Sequence, residues 1–344
     1  MKRFWTWLLS LFGIKPSVLP QELIDNTTAY VEPEDYDPTN YIDDDYMPDD
    51  ELINELDEED EEPLERLSSK FAVIIGINKY DPTLNSDLNG CVNDAEAMYK
   101  VLTETYKFPH DNIRMLTDFR ATRDNIMERI EWLLEHDIPG DELVLHYSGH
   151  SSQVRDRDND ELNDYLDEIL CPTDLDWDYP LTDDDIRWVF AQKAEDVFLT
   201  FICDSCHSGT ITKAIDFSSI TPEHPDKPRY IKPPIDIKSR EGVEPLPVHK
   251  IGVIDKNDRD IISQEHVLLS GCRDDQTSAD AYIDGKWQGA LTSSLIAAIK
   301  KNPNRDWSAI HADVISILNV GGYSQRPQLS GEDNLIKGRT IFGA

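Results

Sequence analysis

No apolar run in this sequence of 344 residues reaches the roughly 18 residues that a membrane-spanning helix needs. Basic residues are also scarce. The chain has 33 Lys and Arg against 68 Asp and Glu, a formal net charge of −35. Nucleic-acid binders draw most of their affinity from Lys and Arg on phosphates, so that class of partner is excluded. Anionic membrane surfaces should repel the chain except at a local basic patch. Cysteines are few, odd in number and scattered (Cys91, Cys171, Cys203, Cys206, Cys272). That is no disulfide framework, and it points to a reducing, cytoplasmic compartment. Cys203 and Cys206 form a Cys-x-x-Cys, but no second pair exists in the chain to complete a structural zinc site. Apolar material is sufficient: at 39% hydrophobic residues, the length allows one large α/β domain or two small ones.

The missing basic charge is concentrated in one place. Residues 21–65 contain 20 Asp and Glu and no Lys or Arg, with Pro33, Pro38, Pro48 and Pro63 among them. Like charges at that density repel, and too little apolar surface is present to offset chain entropy. Residues 16–67 therefore read as a disordered acidic tail, within which Tyr30, Tyr36, Tyr41 and Tyr46 leave room for a short docking segment. Ahead of it, residues 1–15 begin Met1-Lys2-Arg3 and continue apolar from Phe4 to Ile14. The start resembles a signal peptide, yet no small-x-small cleavage site precedes Pro16. On a helix, Phe4, Leu8, Leu11 and Phe12 would share a face, which fits attachment of residues 4–14 to a membrane surface or to another protein.

From residue 68 the pattern is that of an alternating α/β chain. Phe71–Ile77 is a continuous apolar run, the signature of a strand buried on both faces. Further strands are predicted at Ile113–Leu116, Glu142–Tyr147, Val197–Cys203 and His266–Ser270. Helices are predicted over Asn93–Tyr106, Arg123–Glu135, Asp183–Ala191, Leu291–Lys300 and Trp307–Leu318. The alternation implies a mostly parallel central sheet with helices on both faces. In such sheets the chemistry sits beyond the carboxyl ends of the strands.

Two of those ends carry reactive side chains. One strand stops on Ser148-Gly149-His150, the other on Asp204-Ser205-Cys206-His207-Ser208-Gly209. If the strands are parallel neighbours, His150 and Cys206 lie side by side, as nucleophilic attack on a carbonyl requires. The amides of Gly149 and Cys206 are then the natural donors to a developing oxyanion. Taken singly, a Cys at a strand end is a small buried hydrophobe and a lone His is satisfied locally. Cys203 is expected to point into the core, His146 to be structural, and His207 to support the site from beside it.

These blocks, with Gly76-Ile77-Asn78-Lys79-Tyr80, Leu88-Asn89-Gly90-Cys91-Val92-Asn93-Asp94-Ala95 and Ser270-Gly271-Cys272-Arg273-Asp274-Asp275-Gln276-Thr277-Ser278-Ala279, resemble the metacaspases, caspase-like cysteine peptidases. The resemblance runs from Phe71 to the C-terminus. It implies a caspase-like three-layer α/β fold, a His150/Cys206 dyad, and a pocket built by Cys91, Asp94, Ser148 and Asp204. It further implies cleavage after Arg or Lys, for which paired carboxylates give a physical cause, because a bound cation relieves them. The alternative for Asp94 is a helix cap. The resemblance also implies Ca2+ held at Asp167, Asp183 and Asp184. The family's further aspartate falls on Lys213, which removes an oxygen ligand and adds a positive charge, with Asp216 near enough to stand in. Asp156–Asp160 begins like an EF-hand loop, but Glu161 stands where Gly is required.

The peptidase domain, 68–344, divides into a His/Cys half (68–209), a Pro-rich linker (210–262) and a C-terminal half (263–344). The linker reads as a mobile surface loop rich in Lys and Arg, Arg229 among them, and so as a site of self-processing. Arg66 and Lys70, at the end of the acidic tail, are candidate cuts that would shed it whole. The family resemblance favours a monomer acting on proteins or peptides. Two other classes remain open at this point: a non-catalytic caspase-like scaffold, and a caspase-like peptidase of other specificity.

Overall fold

A computed structural model describes residues 67–135, 137–155, 166–206, 224–235, 237, 266–273 and 276–343. Expectations for residues 1–66, for the Asp156–Glu161 loop, and for His207, Lys213, Asp216 and most of the linker lie outside these. In chain order the elements are β1 (Lys70–Gly76), α1 (Cys91–Lys100), β2 (Ile113–Thr117), α2 (Arg123–Leu134), β3 (Glu142–Ser148), β4 (Ser151–Arg155), β5 (Leu166–Leu170), β6 (Leu181–Thr182) and α3 (Asp183–Phe190). They continue with β7 (Phe198–Asp204), β8 (Lys227–Pro228), β9 (Val267–Ser270), β10 (Ala279–Ile283), β11 (Lys286–Gly289), α4 (Ala290–Lys301), α5 (Trp307–Val320), β12 (Gln328–Ser330) and α6 (Asp333–Ile336).

The central sheet has six strands in the order β12-β9-β7-β3-β1-β2. All its pairings are parallel except β12 with β9. Alternation along β1 builds both cores. Val73 and Ile75 face α2 and α3 through Ile126, Ile130, Ile186 and Val189. Ala72 and Ile74 face α1, α4 and α5 through Ala95, Met98, Leu295 and Ile310. A β-branched strand with both faces covered gains roughly 1.5–3 kcal/mol for each large apolar side chain it buries. The result is a three-layer α/β architecture.

Side-chain caps fix three of the helix starts. Thr122 accepts from Asn125 N, Asp306 accepts from Ala309 N, and Thr182 with Asp185 forms a capping box. Helix α1 starts differently. Gly90 precedes it with no side-chain cap, and the amides of Asn89 and Gly90 donate instead to the carboxylate of Asp280, far along the chain. The helix begins two residues before the predicted start, and its end widens into π-type turns over Val101–Thr105.

Two small three-stranded sheets, β4-β5-β6 and β11-β10-β8, flank the main one and were not predicted. Their strands are only two to five residues long, too short for a clear alternation. The linker expectation needs correction as well. Lys227–Pro228 forms β8, and Arg229, Tyr230 and Ile231 are buried, so this part of the linker is not a surface loop. Lys70 is also a poor cut site. It opens β1, and its Nζ donates to the carbonyls of Tyr106, Phe342 and Gly343. Among the described residues no helix is long and apolar enough to cross a membrane.

Candidate active site

Strands β3 and β7 are parallel neighbours, with Ser148 opposite Asp204. His150 and Cys206 each stand two residues beyond that last pair, so the register alone brings both to the same edge of the sheet. Gly149 is required between them: a Cβ there would come within 3 Å of the hydroxyls of Tyr147 and Tyr80.

The imidazole of His150 is buried and held from several sides. Its Nε2 lies 2.6 Å from the carbonyl oxygen of Ser86. A carbonyl can only accept, so Nε2 carries the proton and the neutral ring keeps its lone pair on Nδ1. The His150 amide donates to Tyr80 Oη at 2.8 Å, and the two rings sit 4.8 Å apart between centroids. Burial pulls the His150 pKa down to about 4, against the opposing pull of the Ser86 and Arg229 backbone. At neutral pH the ring is therefore a base with Nδ1 available. Sequence reasoning missed Ser86, and had no signal to find it by, since any residue supplies a carbonyl. Tyr80 did stand in a quoted block.

The thiol of Cys206 is fully buried, packed with Tyr230 and Cys272. The amide of Ser278 donates to Sγ at 2.9 Å. Among the described residues no backbone acceptor takes the amides of Gly149 or Cys206. Cys203 lies in the core beside Ser205, with burial pushing its thiol up to about 12. His146 is buried against Thr292, and burial lowers it to about 4, which fits a structural, neutral ring.

Beside the dyad the structure gathers Cys91, Asp94, Ser148 and Asp204, and adds two residues that sequence reasoning did not assign there. Asp280 is a third carboxylate, and Arg229 is a cation among the three. Arg229 is 0% exposed. Its Nη2 lies 2.7 Å from Asp94 Oδ2 and 3.3 Å from Asp280 Oδ1, and its Nη1 lies 3.1 Å from Asp204 Oδ2. Nη1 also donates to Ser148 Oγ at 2.8 Å and to the Asp204 carbonyl at 3.0 Å. Burial works against its charge, but Asp204, Cys91, Asp94 and Asp280 outweigh that and hold it protonated.

One guanidinium cannot neutralise three buried carboxylates, and main-chain amides share the task. Gly289 N donates to both oxygens of Asp94 at 2.9 Å, and Thr292 N and Oγ1 reach Asp204 Oδ2 at 2.9 and 2.7 Å. These donors form the N-terminus of α4, whose dipole favours the negative charges. Gly289 has to be glycine, because a Cβ there would strike Asp204 Oδ2, Arg229 Nη1 and Asp94 Oδ2. Asp94 is thus a pocket wall within α1, not a helix cap. Burial raises its pKa to about 6, Arg229 opposing and Asp204 reinforcing the rise.

The residues expected to hold calcium lie on two elements, β5 and the start of α3. Asp167 lies buried on β5. Asp183 and Asp184 open α3 and are both bridged by Arg187, at 2.5 and 3.3 Å. Among the described residues, no three His, Cys, Asp or Glu side chains converge as a metal would need.

Comparison with known proteins decides the family. Residues 70–215 match the model described as "Metacaspase, peptidase C14 domain". Metacaspase-1 of Pyricularia oryzae is 33% identical over 286 residues, spanning 75% of this chain and 70% of that protein. The chain belongs to the metacaspase family. Metacaspase-1 of Saccharomyces cerevisiae is likewise 33% identical over 287 residues, 75% of this chain. The match spans about 65% of the length of that yeast relative. Among solved structures, protein GSU0716 from Geobacter sulfurreducens superimposes with a TM-score of 0.55 at 25% identity, over 79% of this chain and 97% of that one. The three-layer fold is that of the caspase-like metacaspases.

Proposed function

We propose that this metacaspase is a cysteine endopeptidase that cuts proteins or peptides after Arg or Lys. The observation that carries the reading is Arg229 itself: the pocket beside Cys206 and His150 already holds a guanidinium on three carboxylates. In the reaction, Cys206 Sγ attacks the carbonyl carbon while its proton passes to His150 Nδ1. The Gly149 and Cys206 amides take the oxyanion. The C–N bond breaks as His150 returns the proton to the leaving amine, leaving a thioester. Water, deprotonated by Nδ1, then attacks the thioester, and the acid product departs as the thiol regains its proton. Arg suits the pocket better than Lys, since only a planar fork meets Asp94, Asp204 and Asp280 together.

Calcium stimulation and self-processing complete the reading that the family resemblance implies, as do action as a monomer and docking through residues 4–14. For Asp183 and Asp184 to serve as ligands, Arg187 would have to swing away. Peptides ending in Arg, Lys or Asp before a fluorogenic group, assayed across a calcium titration with Cys206→Ala as control, test the whole. Turnover of the Arg and Lys peptides, rising with calcium, is expected. Equal rates with calcium and with a chelator would remove Asp167, Asp183 and Asp184 from the mechanism. Preference for Asp would overturn the pocket assignment, and no turnover at all would favour a scaffold.

The pH profile separates the pocket from the base. With Asp94 near 6 and His150 near 4, acid protonates Asp94 before His150. KM for an Arg peptide is expected to climb as pH falls through about 6, whereas kcat holds to lower pH. A parallel fall of kcat near 6 would assign that limb to His150 instead.

A further inference from the structure

Arg229 reaches the pocket on a backbone that lies across the catalytic centre. Lys227 and Pro228 pair antiparallel with β10, opposite Asp280 and Ala279. The Arg229 amide then donates to the Ser278 carbonyl at 3.1 Å. Ser278 is the residue whose amide holds Cys206 Sγ. This is how an extended peptide adds to a strand edge, with main-chain bonds giving affinity and one side-chain pocket giving specificity. Past Arg229 the chain crosses to the histidine side. The Arg229 carbonyl accepts from Ser151 N at 3.2 Å, Ile231 N donates to the Ser151 carbonyl at 3.0 Å, and Ser152 Oγ donates to the Ile231 carbonyl at 2.6 Å. Between these ties the ring of Tyr230 packs against Cys206.

We propose that residues 227–231 are a built-in strap occupying the substrate cleft, with Arg229 in the place of the substrate's basic residue. The proposal rests on the Arg/Lys reading of the pocket and concerns its regulation. A substrate cannot enter until the strap leaves, because pocket, strand edge and thiol are all covered by it. The strap's carbonyl also explains why the bond after Arg229 resists attack in this arrangement. Its oxygen is held by the Ser151 amide, beyond His150, and not by the Gly149 and Cys206 amides that would stabilise an oxyanion. The strap is tied to the dyad at its other end as well. Lys227 Nζ donates to the Asp87 carbonyl at 2.8 Å, next to the Ser86 that orients His150. A core ion pair with only a structural purpose needs the guanidinium but has no need of a strand laid over the nucleophile.

The test uses the full chain, wild type and two variants, with a peptidyl-arginine ketone that alkylates the thiol. Arg229→Ala empties the pocket, and Tyr230→Gly loosens the strap while leaving every carboxylate paired. Labelling of Cys206 is expected to be about tenfold faster or more in either variant, since apparent affinity falls with the fraction of chains whose cleft is open. KM for an Arg peptide should drop by a similar factor, with kcat within about threefold of wild type. Agmatine, a small guanidinium, should raise the melting temperature of Arg229→Ala and leave that of the wild type unchanged. A folded Arg229→Ala with unchanged labelling, unchanged KM and no response to agmatine would overturn the strap. If that variant does not fold, unchanged labelling of Tyr230→Gly overturns it equally. These outcomes differ from failure of the pocket reading, in which no form turns over Arg or Lys peptides.

Discussion

Cys206→Ala is expected to reduce peptide turnover by about four orders of magnitude or more, to the background rate. In the proposed mechanism the sulfur is the atom that forms the covalent bond. Cys272 packs beside it, yet its thiol donates to the Gln276 carbonyl. Ser205 is turned to Cys203. His150→Ala should do comparable damage, and the double variant should be little worse than either, because a nucleophile without its base and a base without its nucleophile are equally idle. The fold should hardly notice the cysteine change. Losing one buried sulfur costs about 1 kcal/mol, roughly 2–4 °C of melting temperature. Single-turnover assays beside thermal melts separate the two effects. Turnover persisting at a hundredth of the wild-type rate would move the nucleophile elsewhere.

Asp204→Ala is expected to damage both function and fold. One oxygen of this carboxylate accepts from Ser278 Oγ at 2.6 Å, and the other from Thr292 N and Oγ1 and from Arg229. Removing it strands three buried donors and takes from a fully buried guanidinium one of its three carboxylates. Each buried donor left without an acceptor costs about 1–3 kcal/mol, so the three together cost about 3–5 kcal/mol even though Arg229 keeps Asp94 and Asp280. For a domain of this size that is a fall of roughly 10 °C. Selectivity for Arg over uncharged peptides should fall by about a hundredfold or more, as one of three carboxylates is lost. A double-mutant cycle with Arg229→Ala sharpens the result. If the two residues are partners, the pair of changes should cost clearly less than the sum of the singles. Additive costs would mean that Arg229 draws its stability from elsewhere.

The dyad was legible in the sequence because it lies on the two features that sequence reports best. Apolar runs such as Leu143–Leu145 and Leu199–Ile202 announce buried parallel strands. The residues just past them must then sit at the functional edge of the sheet. Helices α2, α3 and α5 were legible for a similar reason, having both an apolar stripe and a capping residue within four positions. The short strands of the flanking sheets were not, since two to five residues held by a neighbouring chain segment leave no periodic trace.

The pocket divides along the same line. The sequence, through its resemblance to the metacaspases, placed Asp94, Ser148 and Asp204 near His150 and Cys206. Only the tertiary structure decided what those carboxylates meet. Asp280 joins them across 186 residues from Asp94, the α4 amides arrive from beyond it, and Ser86 orients His150 through a carbonyl that no side chain betrays. Arg229 shows the difference most sharply. In the sequence it is one of several basic residues in a proline-rich stretch, and composition assigns such a stretch to the surface. Its burial depends on finding three carboxylates and a strand edge at one place. That is a long-range coincidence of charge and hydrogen bonding, and no local pattern encodes it.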